Sequence, residues 1–143
     1  MPLWRKSLDS SHLAEPRALI RVYVAPGELD GAIEFYEKLL GVDSDMYMSI
    51  PPDPAEPGGG LTLAAVGGFL ILEGRPERLA PLRSAVGTLL VDDIAPYFER
   101  LIAYGAEIVH LPAERLGGAG FAVRHPDGTV MEYVHHRPSE DES

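Results

Sequence analysis

The sequence predicts an α+β fold of two tandem βαβββ modules, which form a curled mixed β-sheet cup with the helices on its outer face. The first observation is a repeat: residues 35–40 (FYEKLL) are echoed by residues 97–102 (YFERLI). The second is that each run follows an apolar, strand-like stretch and ends near a glycine, Gly41 or Gly105. A unit repeated at this length indicates two copies of one supersecondary module. Because one helix per module covers only one face of the sheet, the other face is free to curl around a ligand.

The first module is predicted over residues 19–73. It begins with a strand over residues 19–24, in which apolar and polar side chains alternate with a period of two. Asp30 is placed to cap a helix with an apolar stripe, and Gly41 is placed to end that helix. Three further strands are predicted, over residues 46–50, 61–66 and 69–73. The last two flank the pair Gly67-Gly68, which predicts a tight hairpin turn.

The second module is predicted over residues 86–136, after a linker over residues 74–85. Its first strand leads to a helix capped by Asp92 or Asp93. Three strands are predicted after this helix, over residues 107–111, 121–124 and 129–136. The last two are joined through a turn at residues 126–128 (PDG), where proline and glycine are both favoured.

The two ends of the chain are predicted to lie outside the domain, which spans residues 19–136. Residues 1–18 are mixed and polar and predict a flexible N-terminal arm. Residues 137–143 are rich in acidic side chains and predict a solvated acidic tail.

Composition excludes several classes of function. The chain has 143 residues, 45% of them hydrophobic, which is enough for one domain with a real core. A formal net charge of −10 argues against nucleic acid and anionic membranes as partners, since both require clustered Lys and Arg. The absence of cysteine removes disulfides and thiolate chemistry. No stretch is long and apolar enough to cross a bilayer, so we expect a cytoplasmic protein.

Three segments carry a resemblance to a known family. Phe35-Tyr36 lies in the first helix, residues 91–93 (VDD) open the second, and residues 126–133 (PDGTVMEY) end the second module. In this order they resemble the vicinal oxygen chelate superfamily, which includes glyoxalase I, extradiol dioxygenases, methylmalonyl-CoA epimerase and bleomycin-resistance proteins. The resemblance covers about residues 19–136. It implies a homodimer, because many two-module members complete their cavities across a subunit interface.

The resemblance also implies where a metal would bind. Metal-dependent members take ligands, commonly His with Glu, from the first and last strands of each module. The first-strand positions fall at about Leu19 and Val86, and the last-strand positions fall at Glu73 and Glu132. Because both histidines are missing, no cofactor is favoured. If a divalent metal is bound, its predicted ligands are Glu73, Glu132 and His136.

Strand alternation predicts which side chains line the cup. If Leu19 faces the cavity, every second residue on each central strand does so as well. The predicted ligand-binding residues are Arg21, Tyr23, Phe69, Ile71, Thr88, Leu90, Val130 and Val134. Glu73 and Glu132 are the predicted catalytic residues. Arg21 is expected to pair with one of these glutamates, and it either neutralises them or binds an anionic or carbonyl group of a ligand.

Three functions remain open at this point. The favoured one is a metal-free binding protein of the bleomycin-resistance type, which sequesters a hydrophobic or drug-like metabolite in the apolar cup. The alternative is a divalent-metal-dependent lyase, isomerase or dioxygenase that uses Glu73 and Glu132. In a metal-free variant of that enzyme, one of the two glutamates moves a proton beside a substrate carbonyl.

Overall fold

A computed structural model of the chain describes residues 4–6, 9–52, 54, 58–115 and 117–137. The first module contains β2 (Arg17–Val24), α1 (Leu29–Leu40), β3 (Met46–Ile50), β4 (Leu61–Val66) and β5 (Phe69–Glu73). The second contains β6 (Gly87–Leu90), α3 (Ile94–Ala103), β7 (Glu107–Arg115), β8 (Gly118–Arg124) and β9 (Val130–His136). A short strand β1 (Trp4–Lys6) precedes them, and a short helix α2 (Pro76–Leu79) joins them. The predicted α+β class and the order of elements in each module are confirmed.

The described strands form one mixed sheet in the order β1-β3-β4-β5-β2-β6-β9-β8-β7. Within each module the first and last strands pair in parallel, β2 with β5 and β6 with β9. The two modules meet where β2 pairs antiparallel with β6. The four strands that carry the predicted site are therefore adjacent at the centre of the sheet.

The two faces of the sheet bury different residues. On the outer face, α1 packs over Ala64 and Ile71, and α3 packs over Phe121 and Tyr133. On the inner face of the first module, a separate apolar cluster includes Leu19, which is 3% exposed. The helices thus cover one face and leave the other as the inner wall of the cup, as the sequence predicts.

The N-terminal segment differs from the flexible arm that the sequence predicts for residues 1–18. β1 pairs with β3 at one edge of the sheet, and β2 begins at Arg17. The Ser10 side chain is fully buried; its hydroxyl donates to the Val91 carbonyl at 2.6 Å and accepts from the His136 amide at 2.8 Å. The described part of this segment is therefore tied to the domain. The structure describes the chain as far as Arg137, so the rest of the predicted acidic tail lies outside the described residues.

The linker over residues 74–85 contains α2 and a 3₁₀ turn (Ala80–Ser84). Leu79 is 3% exposed and belongs to the inner-face cluster, so the linker is anchored in the core of the first module. Among the described residues, no helix is long and apolar enough to span a membrane.

The caps of the two long helices differ from each other. α3 is capped by Asp93, whose carboxylate accepts from the Ala95 amide at 3.0 Å, as predicted. α1 begins at Leu29, and its N-cap residue makes no side-chain capping bond, so the prediction that Asp30 caps it is wrong. The acceptor comes instead from Glu73 at the end of β5.

Candidate functional site

The inner face of β2 carries the side chains that the sequence predicts. Arg21 lines a cavity in the cup, and Leu19 and Tyr23 pack in the inner-face cluster beside it. In the parallel ladder, Arg21 pairs with Leu70 and Tyr23 pairs with Leu72. Since paired residues in a ladder share a face, β5 presents its two leucines to the cavity.

Phe69, Ile71 and Glu73 therefore lie on the opposite face, and their predicted place in the cup is corrected. The Phe69 ring stands 4.5 Å from the ring of Tyr36 on α1, and Ile71 is fully buried beneath the same helix. Oε2 of Glu73 accepts from the amides of Gly27 and Leu29, each at 3.0 Å. This carboxylate compensates the unpaired amides at the start of α1 and is a structural group.

The second module presents its predicted residues inward. Thr88 pairs with Glu132 and Leu90 pairs with Val134 in the parallel ladder. Thr88, Glu132 and Val134 line one cavity, while Val130 and Glu132 line a second. Leu90 is fully buried on the same strand face as Thr88 and lines neither cavity.

A buried polar centre joins the two modules. Arg21 has only 4% of its side chain exposed, and its Nη2 donates to Oε1 of Glu132 at 2.8 Å. Its Nε donates to the Thr88 hydroxyl at 3.2 Å, and its Nη1 donates to the Leu82 carbonyl at 2.5 Å. The Thr88 hydroxyl in turn donates to the same Glu132 oxygen at 3.0 Å. The predicted pairing of Arg21 with one of the glutamates is confirmed for Glu132.

Two cavities flank this centre. The first has a volume of about 130 Å³ and lies over the first module, between apolar side chains of β2, β3, β4 and β5. The second has a volume of about 480 Å³ and extends toward β7 and β8. Arg21, Arg78, Leu82 and Glu132 line both cavities. The cup is therefore divided by its polar centre into a small apolar compartment and a larger, more polar one.

Tyr23 lines neither of the two cavities. Its hydroxyl donates to the Leu82 carbonyl at 2.9 Å, and the Arg83 guanidinium lies 4.3 Å from the centre of its ring. Tyr23 thus holds the linker against β2 and is not a wall of the cavity, which corrects its predicted role.

His136 lines the first cavity and is 8% exposed. Burial lowers its pKa from 6.5 to about 4, although the nearby Glu132 carboxylate acts in the opposite direction. Its neighbour His135 points to the outer face, where its Nδ1 accepts from the Ile94 amide at 3.1 Å at the start of α3. Both residues line the first cavity, but the imidazole of His135 is bonded to the start of α3, and His136 is neutral near pH 7.

Sequence reasoning missed the contribution of the linker and of β3. Arg78 and Leu82 lie in a segment predicted only as a connection, yet both line the two cavities. Met46 and Met48 alternate on β3 and close the first cavity from the side. The period of two in β3 was available as a signal, but nothing in the linker sequence indicated that it folds over the cup.

The residues present do not fit the metal site that the family implies. Of the four ligand positions, only that of Glu132 carries a ligating side chain into the cup, because Glu73 lies on the other face and β5 presents leucines. Among the described residues, no group of three or more His, Asp or Glu side chains is placed to hold a metal ion. The predicted set of Glu73, Glu132 and His136 is therefore not assembled.

The sequence profile of the Glyoxalase/Bleomycin resistance protein/Dioxygenase superfamily matches residues 18–133. No curated protein shows a significant match. A crystal structure of an uncharacterized protein from Methanosarcina mazei is 35% identical, with 87% of this chain and 94% of that chain covered and a TM-score of 0.69.

Two more distant structures share the fold. A mutant of 4-hydroxymandelate synthase from Streptomyces coelicolor is 19% identical, with a TM-score of 0.55; 87% of this chain is covered, but only 50% of the synthase. Methylmalonyl-CoA epimerase from Mycobacterium tuberculosis is 20% identical, with 92% of this chain and 96% of that chain covered and a TM-score of 0.50. The profile match over most of the chain and the duplicated modules around one cup lead to the same conclusion: the chain belongs to the Glyoxalase/Bleomycin resistance protein/Dioxygenase superfamily.

Proposed function

We propose that this protein binds a small organic molecule in the cup without the help of a metal, and that the apolar part of the ligand occupies the first cavity. The observation that carries the proposal is the polar centre. The cup holds an arginine–glutamate pair beside an apolar compartment, at the place where metal-dependent relatives need metal-ligating side chains. The proposal makes the chain a binding protein that sequesters its ligand.

The size and lining of the first cavity support an apolar ligand group. Its volume of about 130 Å³ approaches that of an apolar cavity of about 150 Å³ that is known to take up benzene. Half of the residues that line it are leucine, isoleucine or methionine. Transfer of an aromatic ring or a short branched chain from water into such a site is favourable.

The hydrogen bonds of Arg21 support the reading in which it neutralises a glutamate. Each of its three guanidinium nitrogens donates to a protein acceptor, on Thr88, Leu82 or Glu132. A preorganised pair of this kind gives the cup a rigid polar floor, which orients a ligand without reorganisation. The metal-dependent alternative with Glu73 and Glu132 draws no comparable support, since only Glu132 faces the cup.

Toluene binding to metal-free protein tests the proposal. We expect calorimetry to detect binding after dialysis against EDTA, with an affinity that added Zn²⁺, Mn²⁺ or Ni²⁺ leaves unchanged. Leu70→Phe places a larger side chain in the first cavity and should weaken binding by about tenfold, or ~1.4 kcal/mol. Leu39→Phe, on the exposed surface of α1, is the matched control and should leave binding unchanged.

Toluene that binds only after metal is added would contradict the proposal. Equal affinities for Leu70→Phe and the unmodified chain would show that the ligand lies elsewhere. The homodimer stays a prediction of the family resemblance, which sedimentation at micromolar concentration can test.

A further inference from the structure

Arg78 lies where the two cavities meet. It lines both cavities from the linker side, opposite the central strands. None of the ion pairs between described residues involves Arg78. By contrast, Arg21 is paired with Glu132 at 2.8 Å, so the charges of these two residues cancel.

The backbone at Arg78 is held from both sides. The adjacent Leu79 is buried in the inner-face cluster, which fixes α2 on the rim of the cup. On the other side, Gly58 approaches so closely that a Cβ at that position would lie within 3 Å of the Arg78 backbone. Gly58 also has a φ of 93°, a conformation that favours glycine. The start of the Arg78 side chain is therefore positioned, and only its outer part is left to adapt.

The charges that line the first cavity favour an anionic ligand. In the first cavity, Glu132 is balanced by Arg21 and His136 is neutral near pH 7, so Arg78 leaves an excess of one positive charge. In the second, Arg21 and Arg78 are matched in number by Glu132 and Glu114, but Glu114 is exposed, and no ion pair between described residues joins it to Arg78. A guanidinium in a half-buried position binds a carboxylate with two parallel hydrogen bonds, and it does so more strongly than in open water.

We propose that Arg78 binds the carboxylate of an organic acid whose apolar end occupies the first cavity and whose polar part extends into the second. This inference rests on the proposed function, because it needs the apolar group to be seated first. It makes the ligand a monoanion with an apolar end no larger than an aromatic ring or a short branched chain. A phosphate ester is disfavoured, since its second negative charge would lack a partner and would lie near Glu132 and Glu114.

Calorimetry with phenylalkanoates that carry one, two or three methylene groups, and with the corresponding amides, tests the inference. The amides keep the ring but carry no charge, so their affinity measures only the binding of the apolar end. We expect at least one carboxylate to bind about tenfold more tightly than its amide. Arg78→Gln should reduce the affinity for that carboxylate to the level of its amide and leave the affinity for the amide unchanged.

Arg75→Gln is the matched control, because it removes the same charge from the exposed residue at the N-cap of α2, which lines neither cavity. It should leave the preference for the carboxylate intact. Unchanged binding of the amide to Arg78→Gln also shows that this variant is folded.

The outcomes separate the inference from the proposed function. If the amides bind as well as the carboxylates and Arg78→Gln changes neither, the inference is wrong and apolar binding stands. If Arg75→Gln abolishes the preference as fully as Arg78→Gln, the effect is one of general charge and the inference is also wrong. If neither the amides nor the carboxylates bind, the inference is wrong, and if toluene does not bind either, the proposed function fails as well. Tighter binding of phenyl phosphate than of any carboxylate, with the same sensitivity to Arg78→Gln, would overturn the assignment of a monoanion.

Discussion

Glu73 and Glu132 each lie on the last strand of a module, which pairs in parallel with its first strand, yet they have opposite environments. Glu132 faces the cup and is paired with a buried arginine. Glu73 faces the helix layer and accepts two amide hydrogen bonds at the start of α1. The counterpart of Glu132 in the first module is Leu70, which pairs with Arg21 on the cup face as Glu132 pairs with Thr88. The two modules therefore share a backbone arrangement, while only the second has an acid in the cavity at this position.

The largest effect is expected from removal of the acid on the cup side. Glu132→Leu leaves the Arg21 guanidinium buried without its partner, which should lower the free energy of unfolding by about 3 kcal/mol. The double variant Arg21→Met/Glu132→Leu should recover much of this loss, because no uncompensated charge remains. Chemical denaturation followed by circular dichroism measures both. Glu107→Leu, which breaks the exposed pair with Arg124, is the control and should have little effect.

Equal losses of unfolding free energy in Glu132→Leu and Glu107→Leu would contradict this contrast between the two glutamates. Arg21 would then be as well solvated as a surface arginine, and the polar centre would not be a rigid part of the cup.

Acid is expected to destabilise the cup side through His136. Its pKa in the folded protein is about 4, below the ordinary value of 6.5, so the unfolded chain takes up the proton first. Its neutral form therefore contributes full stability above pH 6.5, and this contribution is lost as the pH falls toward about 4, in total about 3 kcal/mol. Urea denaturation across this range should show a shallower pH dependence for His136→Asn than for the unmodified chain.

His12→Asn, at an exposed position, is the control for that measurement and should leave the slope unchanged. If His136→Asn does not alter the pH dependence of the free energy of unfolding, the acid sensitivity arises from carboxylates alone.

The smallest effect is expected on the helix side. Glu73→Ala removes the acceptor of the Gly27 and Leu29 amides, which should cost about 1 kcal/mol of unfolding free energy. Glu73→Gln should cost less, since its amide oxygen still accepts a hydrogen bond. Neither change should alter toluene affinity, because Glu73 does not line the cup. Loss of toluene binding in Glu73→Gln, at unchanged stability, would place this residue in the site after all.

The sequence predicted the fold and the polar centre because both depend on local patterns. The duplicated helices, the glycine-bounded hairpin and the alternation in β2 and β9 set the elements and turned Arg21 and Glu132 to one face. The same reasoning failed on β5, where residues 69–72 (FLIL) are all apolar. A strand buried on both faces carries no alternation, so its orientation cannot be read from the sequence.

The amino-acid sequence alone predicted two modules, an apolar cup, and an arginine that pairs with either Glu73 or Glu132. The three-dimensional packing was needed to pair Arg21 with Glu132, to place Glu73 at the start of α1, to tie Ser10 to Val91 and His136, and to set Arg78 over the cup. The physical reason is that periodicity and capping act between near neighbours in the chain. The facing of a fully apolar strand and the docking of a linker depend instead on which distant strands supply their hydrogen bonds and packing.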